Sequence, residues 1–217
     1  VGAEPRETLA RGSAVRVQAS PPQRKQTIAV MDGFPAYVEG ELLFVPKDNM
    51  NTDGIYGKEF TYQDNLSPDE MGSKAMLNYD PRFQEIANTG DILIGGYNFG
   101  SGSSREQAAT ALKYRGLSMV IAGSYSQTYK RNAFNNGYIV IECPGLVDEL
   151  KAASAGDEAL TIRTGRRVRV DFASARIESG DKTYAFAPLG DVAQELVVNG
   201  GFETLIKKRI AKMERSE

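Results

Sequence analysis

Polar and apolar positions settle into readable patterns only after the first few dozen residues. Residues 1–34 carry Ser13, Ser20, Pro21, Pro22 and mixed charges without a period, as expected of a linker or an N-terminal arm packing elsewhere. Residues 35–217 then read as one domain. Residues 38–45 (VEGELLFV) have strand character and are closed by Pro46 and the turn-rich KDNMNTDG. Ser67-Pro68-Asp69-Glu70 is a helix opening, with a hydroxyl at the cap, proline at the first position and acids in the first turn. Residues 92–95 (ILIG) are an apolar run short enough for a buried strand; 104–115 fit a helix ending at Gly116, and 118–122 (SMVIA) the strand after it. Residues 127–135 predict a helix stopped by Asn136-Gly137, and 138–142 (YIVIE) the next strand. Beyond Pro144 come a short helix and strand candidates at 159–163, 167–172, 175–178 and 183–186. A helical tail over 191–212 is interrupted at Asn199-Gly200-Gly201. Strand and helix alternating in the middle make the class α/β, and the late run of strands predicts a second sheet layer. Arg163, Arg166, Arg167 and Arg169 fall on that run, where a solvated strand face is the simplest expectation.

Composition narrows the chemistry mainly by exclusion. At 217 residues the chain can bury roughly 70% of its unfolded surface, so its core needs no staples. Lys+Arg 26 against Asp+Glu 28 leaves a net charge of −2, which argues against a general nucleic-acid or membrane-surface binder. No window approaches the ~18 unbroken apolar residues of a membrane span. With His 0, this chain alone cannot supply a Ser-His-Asp triad, a Cys-His pair or a histidine metal site. Cys143, its one cysteine, cannot form an internal disulfide or hold an iron–sulfur cluster, and beside Pro144 it reads as a small buried hydrophobe. Val1 in place of a start methionine is expected of a mature form or of a piece cut from something longer, and Glu4 and Glu7 weaken a transit-peptide reading.

The candidate chemistry sits in GGYNFGSGSSRE, residues 95–106, between a buried strand and a helix. Ser103 with Glu106, or Ser104 with Gln107, satisfies the capping-box spacing, so the helix should open here with Arg105 in its first turn. Free N–H groups at a helix N-terminus favour an anion, Gly95, Gly96, Gly100 and Gly102 permit close backbone approach, and the Arg105 fork fits a carboxylate or phosphate. A nucleotide fingerprint fails: the third glycine position after Gly100-x-Gly102 is Arg105, and Gly57-Lys58 is followed by Glu59. The competing reading is a capped helix after a flexible glycine turn.

The string NFGSG-SSRE resembles the signature of the aconitase superfamily's swivelling domain, which is also the small subunit of 3-isopropylmalate dehydratases. DNMNTDGI (48–55) resembles that family's DNxxTDxI segment, and the ANN-G-like segment Ala133–Gly137 (AFNNG) fits as well. The likeness is specific over about 38–145; within the superfamily KDNMNTDGIYGKEFTYQD and GSSREQAATAL are most similar to the homoaconitase branch. Gln107 and Gly57 depart from the pattern, where relatives more often carry His and Pro. The resemblance implies a swivelling β/β/α three-layer domain and reversible dehydration and hydration of a hydroxy-polycarboxylic acid, in the mitochondrial matrix for a homoaconitase and otherwise in the cytoplasm, with a 3-isopropylmalate dehydratase small subunit or an aconitase domain as the alternatives. It implies a 4Fe-4S cluster bound by partner domains of the same enzyme and not by this chain, with the substrate a small polycarboxylate. It carries the proton-abstracting base onto Ser103, substrate contacts onto Ser104 and Arg105, and support of the partner's acid/base histidines onto Asp53. Lys58 falls nearest the family's cationic substrate ligand, and a solvated surface lysine is the plainer expectation for it. A cluster-free anion-binding domain and an RNA-binding relative are the readings from another class.

Overall fold

A computed structural model describes residues 29–61, 63 and 66–215. Its elements in chain order are β1 (Tyr37–Val45), α1 (Thr52–Ile55), α2 (Lys58–Thr61), α3 (Pro68–Ser73), α4 (Phe83–Ile86), β2 (Ile92–Gly95), α5 (Gln107–Tyr114), β3 (Met119–Ala122), α6 (Gln127–Asn135), β4 (Val140–Glu142), α7 (Pro144–Ala153), β5 (Ile162–Asp171), β6 (Arg176–Ser179), β7 (Lys182–Ala185), α8 (Asp191–Asn199) and α9 (Phe202–Glu214). The last residues of β1 are apolar on both sides because both faces of that strand are covered. Leu43 and Val45 enter one apolar cluster beneath α5 and α6, Leu42 and Phe44 a second on the opposite face. β2, β3 and β4 join β1 in parallel, and β5, β6 and β7 continue from its other edge antiparallel, in the order β4-β3-β2-β1-β5-β6-β7.

The second sheet layer expected from the late strands is therefore not a separate sheet. The strands stay hydrogen-bonded to β1 and the sheet curls. Val168, Val170 and Ile177 share one cluster with Ile92, Ile94, Met119 and Ile121, and the thiol of Cys143, just after the β4 edge, reaches Ala185 O on the β7 edge at 3.7 Å. The candidates 159–163 and 167–172 are one strand, β5, because the glycine between them makes a bulge: residues 164–166 face Leu42 alone, with Gly165 at φ +68°.

The basic cluster is not a solvated face either. Arg163 donates to Asp91 and Glu41 at 2.8 Å each, Arg166 pairs with Glu149 at 2.9 Å, and Arg169 with Glu39 at 3.0 Å; only Arg167 is exposed. Packing against the body extends to residues ahead of 35. Phe34 is buried and meets Phe172 edge-on at 5.0 Å, and Met31 N donates to the buried Gln194 Oε1 at 2.8 Å. Residues 1–28 of the expected arm lie outside the described residues. The helix opening at Ser67 forms as expected, a reciprocal capping box with Glu70. No helix among the described residues is long and apolar enough to cross a membrane.

Candidate active site

Parallel strands deliver their following loops to one end of a sheet, where open α/β folds bind ligands. Here the loop after β1 and the loop after β2 are zipped together. Gly100 N and Ser101 N donate to Met50 O at 2.8 and 3.0 Å, Thr52 N to Ser101 O at 2.9 Å, and Asn49 N to Tyr97 O at 2.8 Å. Asn49 and Asn98 both take left-handed backbone (φ +52° and +54°), where an amide side chain is tolerated, and Asn98 Nδ2 donates to Asn49 Oδ1 at 2.8 Å. Asp48 Oδ1 accepts from Tyr97 N at 2.7 Å and Lys151 Nζ at 2.5 Å, which fastens the first loop to α7. The loop after β3 supports the pair from below. Phe99 lies edge-on to Tyr129 at 5.4 Å and to Tyr125 at 6.0 Å, and Ser126 Oγ donates to Gly100 O at 2.6 Å. Gly100 is required there: a Cβ would sit 2.2 Å from Tyr129 Cγ.

The capping box expected at Ser103 or Ser104 does not form. α5 begins at Gln107, its N-cap Glu106 has helical backbone, and no side chain caps it, so Arg105 precedes the helix. Ser103 instead stands on the exposed loop with its carbonyl accepting Thr52 Oγ1 at 2.9 Å, and among the described residues its hydroxyl has no partner. Ser104 Oγ meets Asn132 Nδ2 at 3.5 Å. Arg105 is 16% exposed and its Nη1 donates to Asp53 Oδ1 at 2.7 Å and Tyr56 O at 3.1 Å. Among the described residues its Nε and Nη2 are without partners. Asp53 also accepts Lys58 N at 2.8 Å; the Arg105 guanidinium, then that amide, hold its carboxyl below the usual range. Lys58 thus reaches the site through its backbone, while its side chain is exposed and, among the described residues, unpaired. Ser103, Ser104, Arg105 and Asp53 are brought together. A groove of about 540 Å³ lies to the α6 side, between Glu106–Gln107 and residues 200–204, and Ser103 does not line it. The serine therefore stands on an open face.

The family model described as the aconitase C-terminal domain matches residues 15–145. The chain belongs to the aconitase C-terminal domain family. It is 39% identical over 204 residues to the mitochondrial homoaconitase of Candida albicans, covering 91% of this chain and 30% of that one. With the mitochondrial homoaconitase of Emericella nidulans it shares 43% over 188 residues, 83% of this chain and 24% of that one. The chain therefore spans less than a third of the length of these relatives. Its structure is similar to that of 3-isopropylmalate dehydratase from Methanocaldococcus jannaschii (TM-score 0.69, 28% identity, covering 83% of this chain and 99% of that one).

The donor set of this aconitase-type domain does not fit an iron–sulfur cluster. Its one cysteine is 1% exposed, donates to a backbone carbonyl, and has its thiol pushed up by burial. Among the described residues no three His, Cys, Asp or Glu gather as metal ligands. Sequence reasoning missed the residues that hold the site rather than perform in it: Asp48, Asn49, Thr52, Asn98, Asn132 and Asn136. The density of amides in DNMN (48–51) and RNAFNNG (131–137) is the signal that could have found most of them, since Asn tolerates unusual backbone and bonds locally.

Proposed function

We propose that this domain is the swivelling part of a homoaconitase, a hydro-lyase interconverting homocitrate and homoisocitrate through cis-homoaconitate in mitochondrial lysine biosynthesis. The observation that carries the reading is the free, exposed Ser103 hydroxyl on a loop fastened through its carbonyl and neighbours, next to an arginine whose outer edge is unspent. Dehydration removes a proton from the carbon beside the departing hydroxyl, which would leave as water with a proton from the acid/base groups of the facing domains. Ser103 Oγ takes that proton, and the nearby guanidinium favours the oxyanion form it needs. Arg105, turned by Asp53 and Tyr56 O, presents Nε and Nη2 to a substrate carboxylate as a two-pronged donor. Ser104 lines the same contact, and Lys58 stands at its rim. Asp53 retains Oδ2 for the acid/base groups of the facing domains. The 4Fe-4S cluster that this chemistry implies would belong to those cluster-bearing domains, outside this chain. The relatives' names support the homoaconitase assignment over its sister activities.

The structural neighbour supports a second reading, a 3-isopropylmalate dehydratase small subunit, because this fold covers nearly all of that chain. The test is the complete enzyme assayed for hydration of cis-homoaconitate, 2-isopropylmaleate and cis-aconitate. Preference for the first is expected; preference for the second installs the alternative; no turnover of any of the three overturns both.

A further inference from the structure

The end of α6 is mounted with unusual rigidity beside the serine loop. Tyr138 N donates to Ala133 O at 2.9 Å and Gly137 N to Phe134 O at 2.8 Å, a Schellman closure with Gly137 at φ +63°. Backbone from the α8–α9 turn presses on it: a Cβ on Gly137 would lie 2.6 Å from Gly200 C, and one on Gly201 2.6 Å from Asn135 O. From that mount Asn136 Nδ2 donates to Glu106 Oε1 at 2.7 Å and to Asn132 O at 2.9 Å while its carbonyl accepts Lys113 Nζ at 2.7 Å. One residue thus grips both ends of α5. A turn earlier on the same helix, Asn132 reaches Ser104.

Residues 103–106 consequently run between two walls. The α1 side holds the odd positions, through Ser103 O on Thr52 and Arg105 on Asp53. The α6 side holds the even ones, through Ser104 on Asn132 and Glu106 on Asn136. The contact at Ser104 is long at 3.5 Å, so the 2.7 Å bond from Asn136 is what fixes that side. Without it the even side keeps only the long Ser104 contact and the first backbone bonds of α5, from Ala108, Ala109 and Thr110 N, which leave the side chains of residues 103–105 room to shift.

We propose that Asn136 is a positioning residue for the reaction, acting through Glu106 to set the direction of the Ser103 hydroxyl. The inference rests on the hydro-lyase reading above. Three variants of the complete enzyme test it: Asn136→Asp, which sets two carboxylates against each other; Glu106→Ala, which removes the acceptor without touching α6; and the double Asn136→Asp/Glu106→Gln, which exchanges donor and acceptor. Both single variants should lose kcat by about 10–100-fold with KM within about 3-fold, the signature of a misplaced reacting group, and the exchanged pair should recover part of the loss made by Asn136→Asp, the bond to Asn132 O staying lost. Amide exchange over residues 104–108 should speed up in the single variants and slow again in the double. Wild-type kcat in Glu106→Ala, or no recovery in the double, overturns the proposal even if Asn136→Asp fails to fold. If wild-type enzyme hydrates none of the three substrates, the functional reading falls. Amide exchange then decides the positioning claim by itself, and unchanged rates in Glu106→Ala overturn it.

Discussion

Ser103 is prepared by bonds its neighbours make, since its own hydroxyl has no partner among the described residues. Ser103→Ala should therefore leave the Tm of the complete enzyme unchanged while lowering kcat by about 10²–10⁴-fold, the range for a positioned base; an intact kcat, or a drop that tracks unfolding, would remove the serine from its role. Asp53 makes a different prediction because its carboxyl sits below the usual range. A lowered folded pKa means the Arg105 pairing stabilises fully above about pH 4 and is lost as pH falls through the folded value. Asp53→Asn should cost stability in urea titrations at pH 7 and pH 5 alike and less at about pH 3. At 43% exposure the cost should be no more than about 1 kcal/mol. A gap that widens at pH 3 would contradict the pairing. Ser103, Ser104, Arg105 and Asp53 drew notice in the sequence as candidates because a short pattern marks both loops. The pairing of Arg105 with Asp53 was not legible, since nothing local in either segment aims a side chain 52 positions along the chain. The same limit applies to Lys58, whose charge drew notice although its backbone amide does the bonding.

At the scale of elements, one capping pattern gave opposite outcomes. Ser67 and Glu70 bond each other reciprocally after Pro68 has fixed the start of α3. Ser103 and Glu106 have the same spacing, but Thr52 holds the Ser103 carbonyl and Asn136 holds the Glu106 carboxylate, so neither can turn back on its helix. Tertiary bonds override a local signal here. The strands, by contrast, were legible nearly to the residue where apolar runs are short and flanked by turns, and misread only at Gly165, where a bulge looks like a turn. Packing of the serine loop on α6 gives a graded test. Gly100→Ala combines φ +74° with a 2.2 Å clash on Tyr129 and should cost about 2–3 kcal/mol, whereas Gly102→Ala, at φ +94° with nothing nearer than 3.7 Å, should show only backbone strain of about 1 kcal/mol. Equal losses would mean that Tyr129 does not brace the loop. The β5 arginines separate in the same way. Arg163→Ala leaves Asp91, which is 6% exposed, with the Asn88 amide but no counter-charge, and should cost about 2 kcal/mol by chemical unfolding, against under about 0.5 for the exposed Arg167→Ala. Similar values for the two would restore the solvated-face reading.

For the whole molecule the decisive strand is β1, the seam between the parallel and antiparallel halves of the sheet. The family match ends at residue 145, yet β1 finds its antiparallel partner only in β5, which begins at Ile162. Sequence showed both strands without showing that one sheet contains them, because pairing partners so far apart leave no local trace. Ending the chain after Ala153 would keep every residue of the candidate site and still leave the β1 edge bare. Such a product should be recovered as aggregates, or as oligomers by light scattering; a soluble monomer with unchanged far-UV circular dichroism would show the parallel half to be self-sufficient. The seam also imposes an order of events during synthesis. While the ribosome is still making the residues between Val45 and Ile162, the strand holding Leu42, Leu43, Phe44 and Val45 has an unpaired row of amides and carbonyls, a template for any neighbouring nascent chain. The hazard closes when β5 arrives, so slowing translation ahead of residue 162 should raise the aggregated fraction, and slowing it after residue 185 should not.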